Sequence, residues 1–400
     1  MTTTDVTEPT GRSTDHSRAT ADDAHTHGDA PASSRAARLA SFDPAAFGEI
    51  TGSEEEWRFS AVDSLHPLLQ DAPAEGHLTW DVPALPEGVT VTEVGAEQAM
   101  ARSVRAPGDR ASAIAASRAQ GAAVLSVARN TVAADPVEIT LTGQGEDVRG
   151  HVLIEVGESA EVTVVLDRRG SATYGEFISV DVAANAHLNL VLLQQWQDDA
   201  VHAGEVVARL HRDARLRGTV VSLGGKVVRL NTSAALVAPG ADVELFGLYY
   251  ADAHQHLEHQ LFVDHAAPNA RSRVTYKGAL QGAGARSVWI GDVLIRKEAE
   301  GTDTYELNRN LVLTEGARAD SVPNLEIETG EIEGAGHASA TGRFDDEQLF
   351  YLKARGIPED VARRLVVRGF FAELIQQIGV PSVQDRLIAA IEAELEVTGA

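Results

Sequence analysis

The chain has 400 residues, of which 44% are hydrophobic and 5% aromatic, with 35 glycines and two methionines. Such a composition favours β structure with many turns over a helical bundle. A formal charge of −25 makes nucleic acid and anionic membrane surfaces poor partners, and the absence of cysteine excludes disulfides, thiolate nucleophiles and cysteine-ligated metal centres built by this chain alone.

The N-terminal residues 1–38 predict a disordered tail. Met1 and Val6 are its only large apolar residues, which cannot bury enough surface to fold. Six acidic residues argue against a mitochondrial transit peptide, and the sequence lacks both a secretion signal and an apolar run long enough to span a membrane. We therefore expect a cytoplasmic protein.

Residues 39–134 predict a mainly helical N-terminal domain with a few strands. Asp43-Pro44 is typical of a helix start, and an alanine-rich stretch runs from Ala111 to Ala123. The segment Glu56-Trp57-Arg58-Phe59 lies between them. Strict alternation of apolar and other residues begins only after this region.

Residues 135–342 predict a repetitive β core. Apolar residues alternate in segments such as Val152–Val156, Val162–Leu166 and Leu188–Leu192, which indicates short half-buried strands. Small-residue turns begin, at spacings of 26, 28, 27 and 29 residues, at Ser159, Asn185, Asp213, Gly240 and Asn269. This period predicts a parallel β-helix, and a two-sheet sandwich is the alternative.

Residues 343–400 predict a helical C-terminal domain. Asp345 begins a first helix closed by Gly356, Pro358 opens a second that ends at Gly379, and Pro381 starts a third. Apolar residues recur at three- and four-residue steps in the second and third helices. Part of these faces packs on the rest of the chain, and the remainder either does the same or fits a groove on another protein.

The common catalytic motifs are missing, so an enzyme hypothesis is restricted to carboxylates, as in a β-helical carbohydrate-active enzyme. Gly224-Gly225-Lys226 is not a phosphate-binding loop, because Val227 follows and the earlier glycine is absent. Histidines cluster at His254, His256, His259 and His265, which suggests a metal-binding protein as another alternative. On one strand, however, the first two would lie on the face opposite the last two.

A second candidate metal-binding residue is His337, in the small-residue run Gly334-Ala-Gly-His337-Ala-Ser-Ala-Thr-Gly342 at the end of the β region. Small neighbours allow another backbone to approach the imidazole, which could then bind a borderline metal beside a partner's thiolates. The alternative is a turn histidine that closes the β-helix.

The part of the chain from about residue 130 to 380 resembles the SufB/SufD family. The resemblance rests on Pro323-Asn-Leu-Glu-Ile-Glu, the run around His337 and Gln348-Leu-Phe-Tyr-Leu-Lys-Ala-Arg-Gly-Ile357. It extends to Asp264-His265, Tyr276-Lys277-Gly278, Asn308-Arg-Asn-Leu311 and Gly369-Phe370, and so covers about residues 130–380.

This resemblance implies a non-catalytic scaffold subunit of the SUF iron–sulfur assembly system, with a right-handed parallel β-helix flanked by helical domains. Its partners would be a SufB-like sister scaffold and a SufC-like ABC ATPase, and a homodimer is possible in isolation. The family's ATPase-docking segment corresponds to residues Asp345, Leu349, Phe350, Tyr351, Arg355 and Phe370. ATP hydrolysis would belong to the SufC-like partner.

Within this family the chain is most like SufD. A SufB subunit is expected to supply a cluster-building cysteine, and this chain has none. Ala335 occupies the position, two before the turn histidine, at which the family often has cysteine, and Ala338 follows His337 where SufB-like sequences tend to have glutamate. The resemblance implies no stably bound cofactor, but a transient iron–sulfur cluster shared with SufB, with His337 at the interface. Metal binding at His254 and His256 is the weaker expectation.

Overall fold

The computed structural model describes residues 38–344 and 346–397, which belong to one compact unit. The predicted disordered tail therefore lies outside the described residues, except for Arg38.

The described N-terminal region contains a 3-10 helix, Pro44–Phe47, for which the Asp43 side chain accepts a hydrogen bond from the Ala45 amide. The α-helices of the described residues are α1 Val62–Leu69, α2 Ala96–Arg102, α3 Arg110–Arg118, α4 Asp346–Lys353, α5 Glu359–Gln377 and α6 Pro381–Val397. The N-terminal strands are β1 Thr79–Asp81, β2 Val89–Gly95 and β3 Gly121–Val127. Parallel pairing begins where β3 meets the next strand.

The β core consists of β4 Val137–Val156, β5 Glu161–Val182, β6 His187–Trp196, β7 Val201–Leu210, β8 Arg215–Ser222, β9 Val227–Leu236, β10 Asp242–Ala251, β11 His256–His265, β12 Arg271–Leu280, β13 Arg286–Ile295, β14 Asp303–Val312, β15 Arg318–Ile327 and β16 Gly334–Arg343. All neighbouring strands from β4 to β16 pair in parallel. This confirms the predicted β-helix and rules out the sandwich.

The strands form two stacked sheets joined at β5. The first half of β5 pairs with β6 and the second half with β7. We call the stack of β6, β8, β10, β12, β14 and β16 the front sheet, and the stack of β7, β9, β11, β13 and β15 the back sheet. Each coil of the solenoid therefore contributes one strand to each sheet.

The turns at one edge lie where the spacing predicts them. Ser159, Asn185, Asp213 and Asn269 all have φ between 55° and 58°, and Gly240 has φ 75°. Left-handed backbone is least costly for glycine, asparagine and aspartate, which accounts for most of these residue types. The alanine after each turn residue is buried, and the amides of Ser159, Asn185, Asp213 and Asn269 each bond to a carbonyl of the next coil, as in Asn185 to Arg212 at 2.9 Å.

In the core between the sheets, aromatic rings pack over glycines. Gly247 pairs with Tyr276 and Tyr249 with Gly278 on neighbouring strands β10 and β12. A Cβ atom at Gly278 would lie 1.8 Å from Cε2 of Tyr249, and one at Gly247 2.0 Å from Cδ1 of Tyr276. Each glycine thus leaves room for its neighbour's ring, which explains the Tyr276-Lys277-Gly278 sequence.

The prediction of half-buried strands is wrong for the middle of the solenoid, because helices cover both outer surfaces. Helices α1 and α3 pack on the back sheet, with Leu65 and Ala115 near Ala203 and Val207. Helices α5 and α6 cover the front sheet, where outward residues such as Val191 and Leu193 are fully buried. Among the described residues, no helix has the length and apolarity that crossing a membrane requires.

A buried cation holds the N-terminal segment against the back sheet. Nη1 of Arg229 on β9 lies 2.6 Å from Oδ2 of Asp109, the N-cap of α3, and its Nε lies 3.2 Å from Oε1 of Glu258. The guanidinium also lies 3.8 Å from the centre of the Trp57 ring. Trp57, singled out in the sequence, therefore anchors this segment.

Candidate functional site

The solenoid ends with two strands that are each paired on one side only. Strand β16 pairs with β14 at the end of the front sheet, and β15 pairs with β13 at the end of the back sheet. Most side chains of β16 are exposed, including His337. We call this end of the solenoid, formed by β15 and β16, the open end. Unpaired strand edges of this kind are templates for pairing with another chain.

His337 lies on the interior side of the last coil. In the register of β14 and β16 it pairs with Glu306, whose side chain is 1% exposed and belongs to the alternating inward set of β14. His337 therefore lies on a strand, next to a buried carboxylate of the neighbouring strand, and not in a turn.

The interior just below the open end is polar. Asn308 donates to the Tyr249 hydroxyl at 2.9 Å, and Asn310 donates to Oδ1 of Asn308 at 2.8 Å. Ser321 of β15 also donates to Oδ1 of Asn308, at 2.7 Å. These bonds join both sheets, so the Asn308-Arg-Asn sequence serves to support the last coils.

Glu306 differs from these neighbours, because neither of its carboxyl oxygens has a hydrogen-bond partner. Burial, with a smaller contribution from Asp292, raises the pKa of Glu306 to about 8. Sequence reasoning missed this residue. The signal was its place in the inward alternation Thr304, Glu306, Asn308 and Asn310, where a carboxylate faces the core.

The C-terminal helices are anchored to the front sheet. Phe371, Leu374 and Ile378 of α5 and its C-cap are buried there, as are Leu387 and Ile391 of α6. Nζ of the outward-facing Lys277 donates to the Phe370 carbonyl at 3.1 Å and lies 3.1 Å from Oε2 of Glu373. Packing on the front sheet therefore accounts for most of the apolar faces predicted for the C-terminal helices. Phe370 takes part in this packing through its contact with Lys277.

Helix α4 presents an exposed aromatic surface. Phe350 is 73% exposed and Tyr351 56% exposed, and the Arg355 guanidinium lies 3.8 Å from the centre of the Tyr351 ring. Leu349, by contrast, is buried against Phe344 and Ala362. We call Phe350, Tyr351 and Arg355 the α4 surface. Asp345 lies outside the described residues.

The four clustered histidines do not meet at one point. His254 is exposed in a turn with φ 65°, and His256 faces outward with its Nε2 3.2 Å from Oε2 of Glu258. His259 and His265 are buried in the interior, where burial lowers the pKa of each to about 4. Within the described part of the chain, no three His, Asp or Glu residues are placed to hold a metal ion.

An interior ion pair in the first coils was also missed by sequence reasoning. Nη2 of Arg168 lies 2.6 and 2.7 Å from the two oxygens of Glu176, and the Tyr174 hydroxyl donates to Oε1 at 3.0 Å. Burial alone would raise the pKa of Glu176, but the positive charge of Arg168 lowers it to about 2. Because these groups satisfy one another, the cluster is structural.

Comparisons with known proteins agree with this geometry. Residues 139–370 match the family described as SUF system FeS cluster assembly, SufBD core domain. An iron–sulfur cluster assembly SufBD family protein of Mycobacterium bovis is 52% identical over 90% of this chain and 93% of its own length. The iron–sulfur cluster assembly protein SufD of Escherichia coli is 29% identical over 70% of this chain and 68% of its own length, and that of Bacillus subtilis is 24% identical over 74% and 69%. This chain is a parallel solenoid with a histidine at its open end, and it matches these relatives over most of its length. It therefore belongs to the SufBD family of iron–sulfur cluster assembly proteins.

Proposed function

We propose that this chain is a cytoplasmic, SufD-type scaffold subunit without catalytic activity of its own. It pairs through its open end with a SufB-type scaffold and binds a SufC-type ATPase through the α4 surface. An iron–sulfur cluster is then assembled transiently at the shared interface, beside His337. The observation that carries this proposal is the open end, where β15 and β16 each have one unpaired edge and β16 carries an exposed imidazole.

The potential metal ligands of this chain support its proposed role as the SufD-type member of the pair. Iron–sulfur clusters are held mainly by thiolates, and the sequence contains no cysteine. Ala335 and Gly336, on the strand of His337, are small enough to let a partner's backbone approach. The SufB-type chain would therefore supply the thiolates, and this chain would supply the imidazole.

The ATPase-docking part of the proposal rests on the contrast within the C-terminal helices. Most of their apolar residues are buried on the front sheet, whereas two aromatic rings of α4 remain exposed next to an arginine. Aromatic residues and arginine are the types enriched at binding hot spots. In this proposal, nucleotide-driven movement of the ATPase reaches the scaffold through α4.

The pairing is tested by co-expressing this chain with a SufB-type and a SufC-type protein. We expect one co-purifying assembly that acquires iron and sulfide on reconstitution. His337→Ala should leave folding and assembly intact and lower the cluster yield at least several-fold. A yield equal to that of the unaltered complex would assign His337 a structural role only.

The ATPase contact is tested by Phe350→Asp together with Tyr351→Asp. Loss of two exposed aromatic contacts should weaken ATPase binding at least tenfold, or about 1.4 kcal/mol and more. Gln376→Asp, at an exposed position of α5, serves as the control. Equal ATPase affinity in all three proteins would place the docking site elsewhere.

A further inference from the structure

Glu306 and His337 occupy corresponding positions on adjacent coils. They are register partners on the parallel strands β14 and β16, which are separated by about 4.8 Å. On β14 the side chains of Thr304, Glu306 and Asn308 are buried, whereas Tyr305, of opposite parity, is 43% exposed. Alternation on both strands thus directs the carboxylate and the imidazole to the interior side of the open end.

The surroundings of Glu306 supply no hydrogen-bond partner for its carboxyl group. Other buried carboxylates of the described residues have cations nearby: Arg168 for Glu176, Arg229 for Glu258 and Arg105 for Glu205. Both oxygens of Glu306 lack a partner. A Cβ atom at Gly291 of β13 would lie 2.9 Å from its Oε1, so the group faces a glycine across the interior.

An unpaired buried carboxyl group destabilises a fold, typically by about 1–3 kcal/mol or more. A glutamine or an apolar residue would avoid this cost at the same position. Residues that reduce stability without serving the packing are typical of functional sites. The position of Glu306, directly beneath the exposed histidine, indicates which function the carboxylate serves.

We propose that Glu306 is a second iron-binding residue of this chain, holding ferrous iron together with His337 at the open end. This inference rests on the proposed function, because two donors do not make a complete site and a paired scaffold must supply the others. A carboxylate and an imidazole are a donor pair suited to ferrous iron, whereas thiolates favour the finished cluster. Iron would therefore be held on this side of the interface before sulfide and thiolates from the partner side complete the cluster.

The test compares Glu306→Gln with the unaltered chain in the complex with the SufB-type and SufC-type proteins. Ferrous iron alone is titrated anaerobically, and the affinity is measured by equilibrium dialysis. Glu306→Gln and His337→Ala should each weaken binding at least tenfold, and the double variant should weaken it little further. Glu315→Gln, at an exposed turn of the same coil, should bind iron as the unaltered chain does.

Thermal unfolding of the isolated chain separates an iron-binding role from a structural one. Glu306→Gln should unfold at the same or a higher temperature, because it removes an unpaired buried acid. A lower unfolding temperature, or unchanged iron affinity in the complex, would overturn the inference. If His337→Ala alone loses affinity, the proposed function stands without Glu306. If the unaltered chains form no complex or bind no iron, both proposals fail.

Discussion

Gly278→Ala tests whether the close packing of aromatic rings over glycines holds the solenoid together. The added methyl group would lie 1.8 Å from Cε2 of Tyr249, so the ring must move by roughly 1.6 Å to reach ordinary contact at about 3.4 Å. Tyr249 cannot move freely, because its hydroxyl is hydrogen-bonded to Asn308 and Asn310. Overpacking of a core typically costs about 1–3 kcal/mol, and we expect the upper part of this range.

The control is Gly342→Ala, on β16, where an added Cβ has no neighbour within 4 Å. This change should alter the free energy of unfolding by less than about 0.5 kcal/mol. Urea unfolding followed by far-ultraviolet circular dichroism gives both values under the same conditions. A second substitution, Tyr249→Leu, should restore part of the stability lost in Gly278→Ala, since neighbouring residues couple by about 0.5–3 kcal/mol. Equal stability of Gly278→Ala and Gly342→Ala would refute the packing argument.

Three further predictions concern buried charges and the helix anchor. Arg168→Met leaves Glu176 unpaired in the interior and should lower the free energy of unfolding in urea by about 3–5 kcal/mol. The double variant Arg168→Met with Glu176→Leu should recover much of this loss. A loss below about 1 kcal/mol in Arg168→Met would contradict the structural role of the ion pair. Because burial raises the pKa of Glu306 to about 8, the cost of burying this carboxyl group is smallest below pH 4.5, where it is protonated in both the folded and the unfolded state, and grows as the pH rises to 8. Between pH 7 and 8 stability should fall by about 1 kcal/mol in the unaltered chain but not in Glu306→Gln; identical pH profiles would contradict this. Lys277→Met should speed hydrogen exchange in α5, because the Phe370 carbonyl and Glu373 lose their cation; unchanged exchange would show that apolar packing suffices.

The coils could be predicted because their determinants are local. Each turn needs a residue that tolerates positive φ followed by a small one, and Asn185-Ala186 and Asp213-Ala214 show this requirement in the sequence. The helix bounds followed from Pro358 and Pro381 for the same reason. Burial on both faces was missed, although Leu190–Leu193 is apolar at every position, a pattern typical of parallel strands covered on both sides.

The candidate site could be predicted only in part, because it depends on pairs that are distant in sequence. The position of His337 at the end of the β region was evident, but its carboxylate neighbour follows from the register of β14 and β16, 31 residues apart. That Glu306 lacks a partner depends on Gly291 lying opposite it on the other sheet. The exposed rings of α4 likewise emerge only once α5 and α6 have occupied the front sheet.

The most direct test of the central claim locates the scaffold contact with an introduced thiol. Because this chain has no cysteine, Ser339→Cys provides a unique reactive site on β16, two residues from His337 and exposed at the open end. Glu87→Cys, exposed in the N-terminal region, is the matched control. A short thiol-to-amine cross-linker is applied to each complex, and the linked chains are identified by mass spectrometry. We predict a cross-link from Ser339→Cys to the SufB-type chain and none from Glu87→Cys; the opposite pattern, or no link from the open end, would contradict the account.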